Sequence, residues 1–299
     1  MDGFLNLLKP PGMSSGDAVG FVRRLLPRGT RVGHGGTLDP DAAGVLPLCV
    51  GRAARLFDYI VDKRKVYIAE LRLGIETDTQ DAGGAIIARQ DASAVTEDDV
   101  RAALTGFVGD IDQSPPAYSA IKRDGRRMYD LARRGEAVEL PPRWVTVFGI
   151  EYLARIGTDR HLLRVACGKG VYIRTLCRDI GRALGVGGHM AFLLRSEAGF
   201  FRAEEAVTLE ELARAAEADG LEGLLAPMDA PLGAFPAVRL DGRFEKPVSN
   251  GAAIPADWHG QALEAGQIAR VYLEDTFAGM AQSDEAGQLR FRAMLMERH

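Results

Sequence analysis

The stretch from Gly33 to Pro47 reads GHGGTLDPDAAGVLP, and its four glycines and two prolines interrupt any regular helix or strand. Glycine lets a backbone approach a ligand closely, whereas proline pushes the residue before it toward an extended conformation. Asp39 lies in the middle, with His34 nearby and little side-chain bulk around it. The pattern therefore predicts a shaped loop that presents the Asp39 carboxylate. A turn role for Asp39 and a capping role for Asp41 are the simpler alternatives.

The loop opens a longer run, GHGGTLDPDAAGVLPLCVGRAARL, that resembles the central motif of the TruB family of tRNA pseudouridine synthases. In that family the aspartate of GxLDPxAxGxLP is the catalytic carboxylate, so the resemblance implies this role for Asp39. Further matching segments are LLKPPGMSS at 7–15, KVY at 65–67, GIETDTQDAGG at 74–84, QSPPAYSAIK at 113–122 and CGKGVYIRTL at 167–176. The resemblance as a whole extends over nearly all of residues 4–200.

The resemblance also implies which residues contact the substrate. Tyr67 would pack on the target base, and Leu193 matches a pocket leucine. Tyr172 takes the position of a substrate-contacting tyrosine, and Arg174 that of the arginine paired with the catalytic carboxylate. His34 is expected to hold a phosphate or to fill the space that the base vacates. By residue pattern alone, Tyr67 could equally be a core tyrosine and His34 a loop histidine without a partner.

The N-terminal match predicts a strand, a rigid turn and a capped helix. Residues 4–8 are apolar and strand-like, Pro10 and Pro11 form the turn, and Ser14 precedes apolar residues at helical spacing. A lysine beside two prolines and a glycine is usually solvated. We therefore expect Lys9 to be an exposed turn residue.

Charge is unevenly distributed along the chain, whose net charge is −4. Residues 1–65 and 118–182 are basic, whereas 70–112 and 203–230 are acidic. A phosphate-binding face needs a local basic excess rather than a basic protein. The resemblance implies an RNA-clasping insertion over about 118–148, which begins within QSPPAYSAIK. Its predicted contacts to the RNA backbone are Lys122, Arg123, Arg126 and Arg127. The alternative is that the basic segments are only solvated faces and bind no phosphate.

The order of elements predicts an α+β fold. The resemblance implies that residues 1–232 form a pseudouridine synthase catalytic domain, built on a mixed, mostly antiparallel sheet flanked by helices. From about residue 235 short strands are predicted at 237–240, 251–254, 268–272 and 289–292, which suits a small β-barrel. A looser resemblance implies a PUA-like RNA-binding module at 235–299, although this segment is net acidic.

Composition narrows the function further. No apolar run reaches membrane-spanning length, no secretion signal is recognisable, and the histidines and the three cysteines lack metal-ligand spacing. We expect a cytoplasmic monomer without a metal, and the resemblance implies the T stem-loop of tRNA as partner and uridine 55 as target, with no cofactor. The alternative is an RNA-binding scaffold or tRNA-folding chaperone in which catalysis is secondary. A phosphate-loop enzyme is disfavoured because the sequence has no GxxxxGK[ST] motif.

Overall fold

A computed structural model describes residues 1–61, 64–116, 122–123, 126–127 and 141–297 of the chain. For 122–123 and 126–127 it describes only a two-stranded backbone pairing. The side chains of Lys122, Arg123, Arg126 and Arg127, which we expect to contact the RNA backbone, lie outside the described residues.

The strands within these ranges are β1 (Gly3–Lys9), β2 (Val32–His34), β3 (Ala43–Val50), β4 (Lys65–Leu73), β5 (Ile75–Thr77), β6 (Ile86–Arg89), β7 (Gly109–Gln113), β8 (Lys122–Arg123), β9 (Arg126–Arg127), β10 (Arg143–Ile156), β11 (Arg160–Cys167), β12 (Gly188–Ala198), β13 (Phe201–Arg202), β14 (Leu225–Ala226), β15 (Ala237–Leu240), β16 (Ile268–Leu273), β17 (Thr276–Ser283) and β18 (Leu289–Met294). The helices are α1 (Ser15–Leu25), α2 (Phe57–Val61), α3 (Glu97–Leu104), α4 (Ile173–Ala183), α5 (Leu209–Glu217), α6 (Glu245–Ser249) and α7 (Ala256–His259). A 3₁₀ helix, Gly51–Leu56, leads directly into α2.

One large sheet organises most of the chain. Its strands follow the order β14-β1-β3-β12-β4-β11-β10-β7, with β2 paired to β3 and β13 to β12. The β3–β12 pair is parallel, and the other pairs are antiparallel. The expected mixed, mostly antiparallel sheet is thus confirmed. Residues 143–148, which we assigned to the insertion, belong to β10, and 143–147 pair with β7.

Sequence periodicity explains how the sheet is covered. On β4 the side chains of Tyr67, Ala69, Leu71 and Leu73 alternate with partly exposed ones, and all four belong to the larger hydrophobic core. Helices α1, α3, α4 and α5 contribute to this core. Three of them begin at a Ser or Thr whose side chain accepts a hydrogen bond from the backbone of the third helical residue.

The C-terminal residues form a separate four-stranded sheet in the order β15-β16-β17-β18. The predicted strand at 251–254 is wrong, because the segment is a turn in which only Ile254 makes an isolated bridge, to Leu289. Gly251 has φ +76°, which interrupts an extended chain, and Pro255 has no N–H to donate. The sequence reasoning missed β17. A PUA-like barrel is not confirmed by this strand path.

The small sheet shares a hydrophobic cluster with the large one. Met280, Ala293 and Leu295 pack into the cluster that holds Phe4 and Leu56. At its edge, Arg52 Nη1 donates to the Leu295 carbonyl at 2.7 Å. Removing the small sheet would therefore expose apolar surface of the large one.

Lys9 is not the exposed turn residue that the sequence suggested. Its side chain is fully buried. Its Nζ donates to the carbonyls of Pro10, Met13 and Pro40 at 2.8, 2.7 and 3.0 Å. The tight turn after β1 creates a cage of carbonyl oxygens that a buried ammonium satisfies. This contact ties the N-terminal turn to the loop that carries Asp39.

We predict that Lys9→Met lowers the free energy of unfolding by about 2 kcal/mol, because three carbonyl oxygens lose a shared donor. Urea denaturation followed by circular dichroism measures this. Lys246→Met is the matched control, since Lys246 is exposed. Equal denaturation midpoints for Lys9→Met and the wild type would show that the cage contributes nothing to stability.

Candidate functional site

The loop between β2 and β3 is shaped by backbone contacts. The N–H of Gly35 donates to the Pro47 carbonyl at 2.7 Å. The buried Ser15 hydroxyl receives the Leu38 N–H at 2.9 Å and donates to the Leu38 carbonyl at 3.0 Å. Gly44 has φ +115°, and a Cβ there would collide with the backbone of Arg195. The loop therefore depends on glycine at this position, and it holds Leu38 in place immediately before Asp39.

Two buried cations fix the loop from either side of Asp39. Lys9 bonds the carbonyl of Pro40, as described above. Arg195, which is also fully buried, donates from Nη2 to Gly36 and from Nη1 to Thr37 at 3.2 and 3.3 Å. Burial lowers the pKa of Lys9 to about 8, against the opposing effect of the carboxylates of Asp41 and Asp39. Both cations are held by neutral carbonyls, so they position the loop without a direct ion pair to Asp39.

The partner of Asp39 is Arg174, in the first turn of α4. Its Nε lies 2.9 Å from Asp39 Oδ2, and its Nη2 lies 3.4 Å from Oδ1. The Arg174 side chain is 7% exposed and the Asp39 side chain 36%, so the carboxylate keeps an open side. The structure thus brings together the two residues that the resemblance pairs, although they are 135 positions apart in sequence.

A second carboxylate, which sequence reasoning missed, approaches the same arginine. Asp81 Oδ2 lies 3.4 Å from Arg174 Nη1. Asp81 is held by its own loop, where its Oδ1 accepts from the Thr79 hydroxyl and from the Gly83 N–H at 2.5 and 3.1 Å. The repeated Thr and Asp residues of the loop at 77–84 could have indicated this contact-forming loop, since such side chains often bond their own backbone. Arg174 therefore lies between two carboxylates, and Asp39 is the one in the cleft.

The cleft beside Asp39 has a volume of about 350 Å³. Its lining includes four of the predicted site residues besides Asp39, namely Tyr67, Tyr172, Arg174 and Leu193. Four further cations also line it, namely Lys65, Arg143, Lys169 and Arg195. Burial raises the pKa of Tyr67, so its hydroxyl stays protonated at neutral pH. The cleft therefore combines aromatic and apolar walls with cationic side chains.

His34 is not among the residues that line this cleft. It ends β2, where it pairs with Leu48, and its Nδ1 is buried without a hydrogen-bond partner among the described residues. Burial, and secondarily the charge of Arg195, lowers the pKa of His34. A neutral ring is therefore favoured at pH 7. A neutral His34 is less suited to binding a phosphate by charge than to packing against RNA.

The N-terminus of α4 is held from outside the helix. The side-chain oxygen of Gln113 accepts from the Tyr172 N–H at 2.7 Å, and its amide nitrogen donates to the Tyr172 carbonyl at 3.1 Å. Arg143 lies over the Tyr172 ring, 5.4 Å from its centroid. Because Gln113 is buried, this two-point contact fixes Tyr172 where the helix begins.

Within the described ranges, no group of three or more His, Cys, Asp or Glu residues is arranged to hold a metal ion. Over the same ranges, no helix is both long and apolar enough to span a membrane. Cys49, Cys167 and Cys177 are buried free thiols, and burial raises the pKa of each to about 12. They therefore remain protonated at neutral pH.

Solved structures show the same fold. The chain is similar to a chain in the crystal structure of a Cbf5–Nop10–Gar1 complex, with TM-score 0.72 and 29% identity over 95% of this chain and 79% of that one. It is also similar to a chain in an H/ACA RNP bound to a substrate RNA containing 2′-deoxyuridine, with TM-score 0.74 and 26% identity over 99% and 86%. The large sheet is thus that of a pseudouridine synthase fold.

Sequence relatives agree with this fold. The family model described as TruB family pseudouridylate synthase, N-terminal domain, matches residues 23–173, and the tRNA pseudouridylate synthase B C-terminal domain matches 174–233. The tRNA pseudouridine synthase B of Alkaliphilus oremlandii is 43% identical over 93% of this chain and 92% of its own length. The protein of the same name from Moorella thermoacetica is 49% identical over 85% and 84%. This chain belongs to the TruB family of pseudouridylate synthases.

Proposed function

We propose that the protein is a tRNA pseudouridine synthase that isomerises the T-loop uridine at position 55, with Asp39 as the catalytic carboxylate. The observation that carries this proposal is the ion pair between Asp39 and Arg174 at the aromatic and basic cleft. Relatives named tRNA pseudouridine synthase B over most of the chain support tRNA as the substrate. The choice of the T-loop uridine rests on the family resemblance of the motifs.

The chemistry needs one well-placed carboxylate. Converting uridine to pseudouridine breaks the N1–C1′ bond, rotates the base and rejoins it through C5; the C5 proton is lost and N1 takes up a proton. No electrons or groups enter or leave, so the isomerisation balances without a cofactor. A carboxylate can act on C1′ or on the base and then assist removal of the C5 proton. Asp39 has the exposure that this requires, and the guanidinium of Arg174 orients it.

The uridine must leave its stack to reach Asp39, which costs about a few kcal/mol. Tyr67 and Leu193 would offset part of this cost by packing on the extruded base, and Tyr172 lies at the edge of the same cleft. His34 lies outside the cleft, and its expected neutral state suits a role in filling the space that the base leaves in the RNA.

The cations divide between the cleft and the insertion. Lys65, Arg143 and Lys169 line the cleft and would neutralise phosphates next to the target nucleotide. Lys122, Arg123, Arg126 and Arg127 would contact the backbone of the T stem-loop. We also propose that residues 1–232 form the catalytic domain and 235–299 a PUA-like module. The enzyme is proposed to be monomeric and cytoplasmic and to act without a metal.

Tritium release from tRNA transcripts labelled at C5 of uridine tests this substrate. We predict that the wild-type protein releases tritium from a transcript with an intact T loop. A transcript in which cytidine replaces uridine 55 should release none above background, because C5 of the target uridine is absent. Equal release from the two transcripts would place the reaction at another nucleotide.

We predict that Asp39→Asn abolishes isomerisation and leaves the Kd for tRNA within about threefold of wild type. The substitution keeps the shape and removes the charge that the chemistry uses. Asp41→Asn is the matched control, because Asp41 is an exposed neighbour in the same loop. Single-turnover rates and filter binding measure both effects. A rate for Asp39→Asn within about tenfold of wild type, or about 1.4 kcal/mol, would contradict the catalytic assignment.

We predict that replacing Lys122, Arg123, Arg126 and Arg127 together by Ala weakens tRNA binding. The slope of log Kd against log salt concentration should fall by about 2 to 4. The single-turnover rate at saturating tRNA should change less, since phosphate contacts position the substrate. A matched control replaces Arg239, Arg243, Lys246 and Arg290, which are exposed on the acidic C-terminal part. Deleting residues 235–299 is a poorer control, because it exposes the shared core.

If the control loses more affinity than the insertion variant, the C-terminal module is the stronger RNA contact and the ranking proposed here is wrong.

A further inference from the structure

Gln80 has a backbone conformation that non-glycine residues rarely adopt. Its φ is +66°, in the left-handed region. Within the described ranges, two other non-glycine residues, Asp219 and Glu274, have positive φ, and both are exposed. Gln80 is buried, with 9% exposure. Such strain persists only where surrounding contacts fix it, and it clusters at functional sites.

Three hydrogen bonds hold Gln80 in this conformation. Its N–H donates to the Thr77 carbonyl at 3.2 Å, and its carbonyl accepts from the Met190 N–H at 3.1 Å. Its side-chain Oε1 accepts from the hydroxyl of Thr175 at 2.8 Å, and Thr175 is fully buried. A glycine would adopt this φ without strain, but it could not make the side-chain bond to Thr175.

Both ends of this bond adjoin residues that touch Arg174. On one side, Thr175 follows Arg174 directly in the first turn of α4. On the other, Thr79 and Asp81 flank Gln80. The Thr79 carbonyl lies 3.3 Å and the Asp81 carboxylate 3.4 Å from Arg174 Nη1. The Gln80–Thr175 bond therefore joins the loop at 77–84 to α4 at the point where Arg174 crosses between them.

We propose that Gln80 and Thr175 are positioning residues, which lock the loop onto α4 and so set the orientation of the Arg174 guanidinium toward Asp39. Neither residue is among those that line the cleft, so neither is placed to touch the substrate. Their effect passes through Arg174, whose Nη1 is held by Thr79 and Asp81 while its Nε faces Asp39. The inference rests on the proposed synthase activity, because it concerns the same site.

The test removes the bond from either end with little change in shape. Thr175→Val removes the hydroxyl, and Gln80→Met removes the acceptor while keeping an unbranched side chain of similar length. Each variant should lower the single-turnover rate about tenfold at saturating tRNA, with the Kd for tRNA within twofold of wild type. The double variant should be no slower than the slower single one, since both substitutions break the same contact. Thr175→Ser, which keeps the hydroxyl, should retain a rate within threefold of wild type.

One further variant serves as a control, and another replaces a variant that does not fold. Gln90→Met is the control, because Gln90 is exposed beyond the same hairpin. If Gln80→Met or Thr175→Val does not fold, Gln80→Gly replaces it, since glycine takes φ +66° without strain and still lacks the amide. Gln80→Gly should show the same tenfold loss.

Rates within twofold of wild type for Thr175→Val and the Gln80 variant would overturn the inference. So would a double variant whose loss is the product of the single losses, because the residues would then act independently. The absence of isomerisation in the wild type and in Gln90→Met would instead defeat the proposed function. The two failures are therefore distinguishable.

Discussion

The ion pair between Asp39 and Arg174 is the contact on which the rest of the site depends. It joins a glycine-rich loop to the first turn of a helix far along the chain. The loop is held by Lys9 and Arg195 through carbonyl oxygens. The helix is held at its start by Gln113. The large sheet holds the loop and the start of α4 close enough for the Arg174 guanidinium to reach Asp39.

The supporting charges are arranged so that they leave Asp39 open. A buried cation is costly unless its donors are satisfied, and here carbonyl oxygens satisfy them. Had Lys9 or Arg195 paired directly with Asp39, the carboxylate would be enclosed by its partners. Instead both bond carbonyl oxygens of the loop, and the Asp39 side chain stays 36% exposed. Fixed charges of this kind need not reorganise when a substrate arrives.

The sequence predicted the loop that carries Asp39 and the N-terminal strand, and the family resemblance supplied Tyr67, Tyr172, Arg174 and Leu193, which line the cleft with Asp39. Glycine and proline residues mark the loop at 33–47 in the sequence. Lys9 was misjudged because local pattern treats a lysine beside prolines as solvated, whereas the carbonyl cage forms only when the Pro40 segment folds over it. The positive φ of Gln80 and its bond to Thr175, on which its proposed positioning role rests, appear only in three dimensions. The wrong strand at 251–254 has a backbone cause, the positive φ of Gly251.

The most direct test of the central claim is a crystal structure of the Asp39→Asn variant with an RNA T stem-loop that contains the target uridine. We predict that the uridine is extruded into the cleft, between Tyr67 and Leu193, with the substituted side chain at position 39 within about 3.5 Å of C1′ or of the base. We also predict that Arg174 stays beside that side chain. A uridine that remains stacked in the RNA, or an extruded uridine bound away from position 39, would contradict the role of Asp39 proposed above.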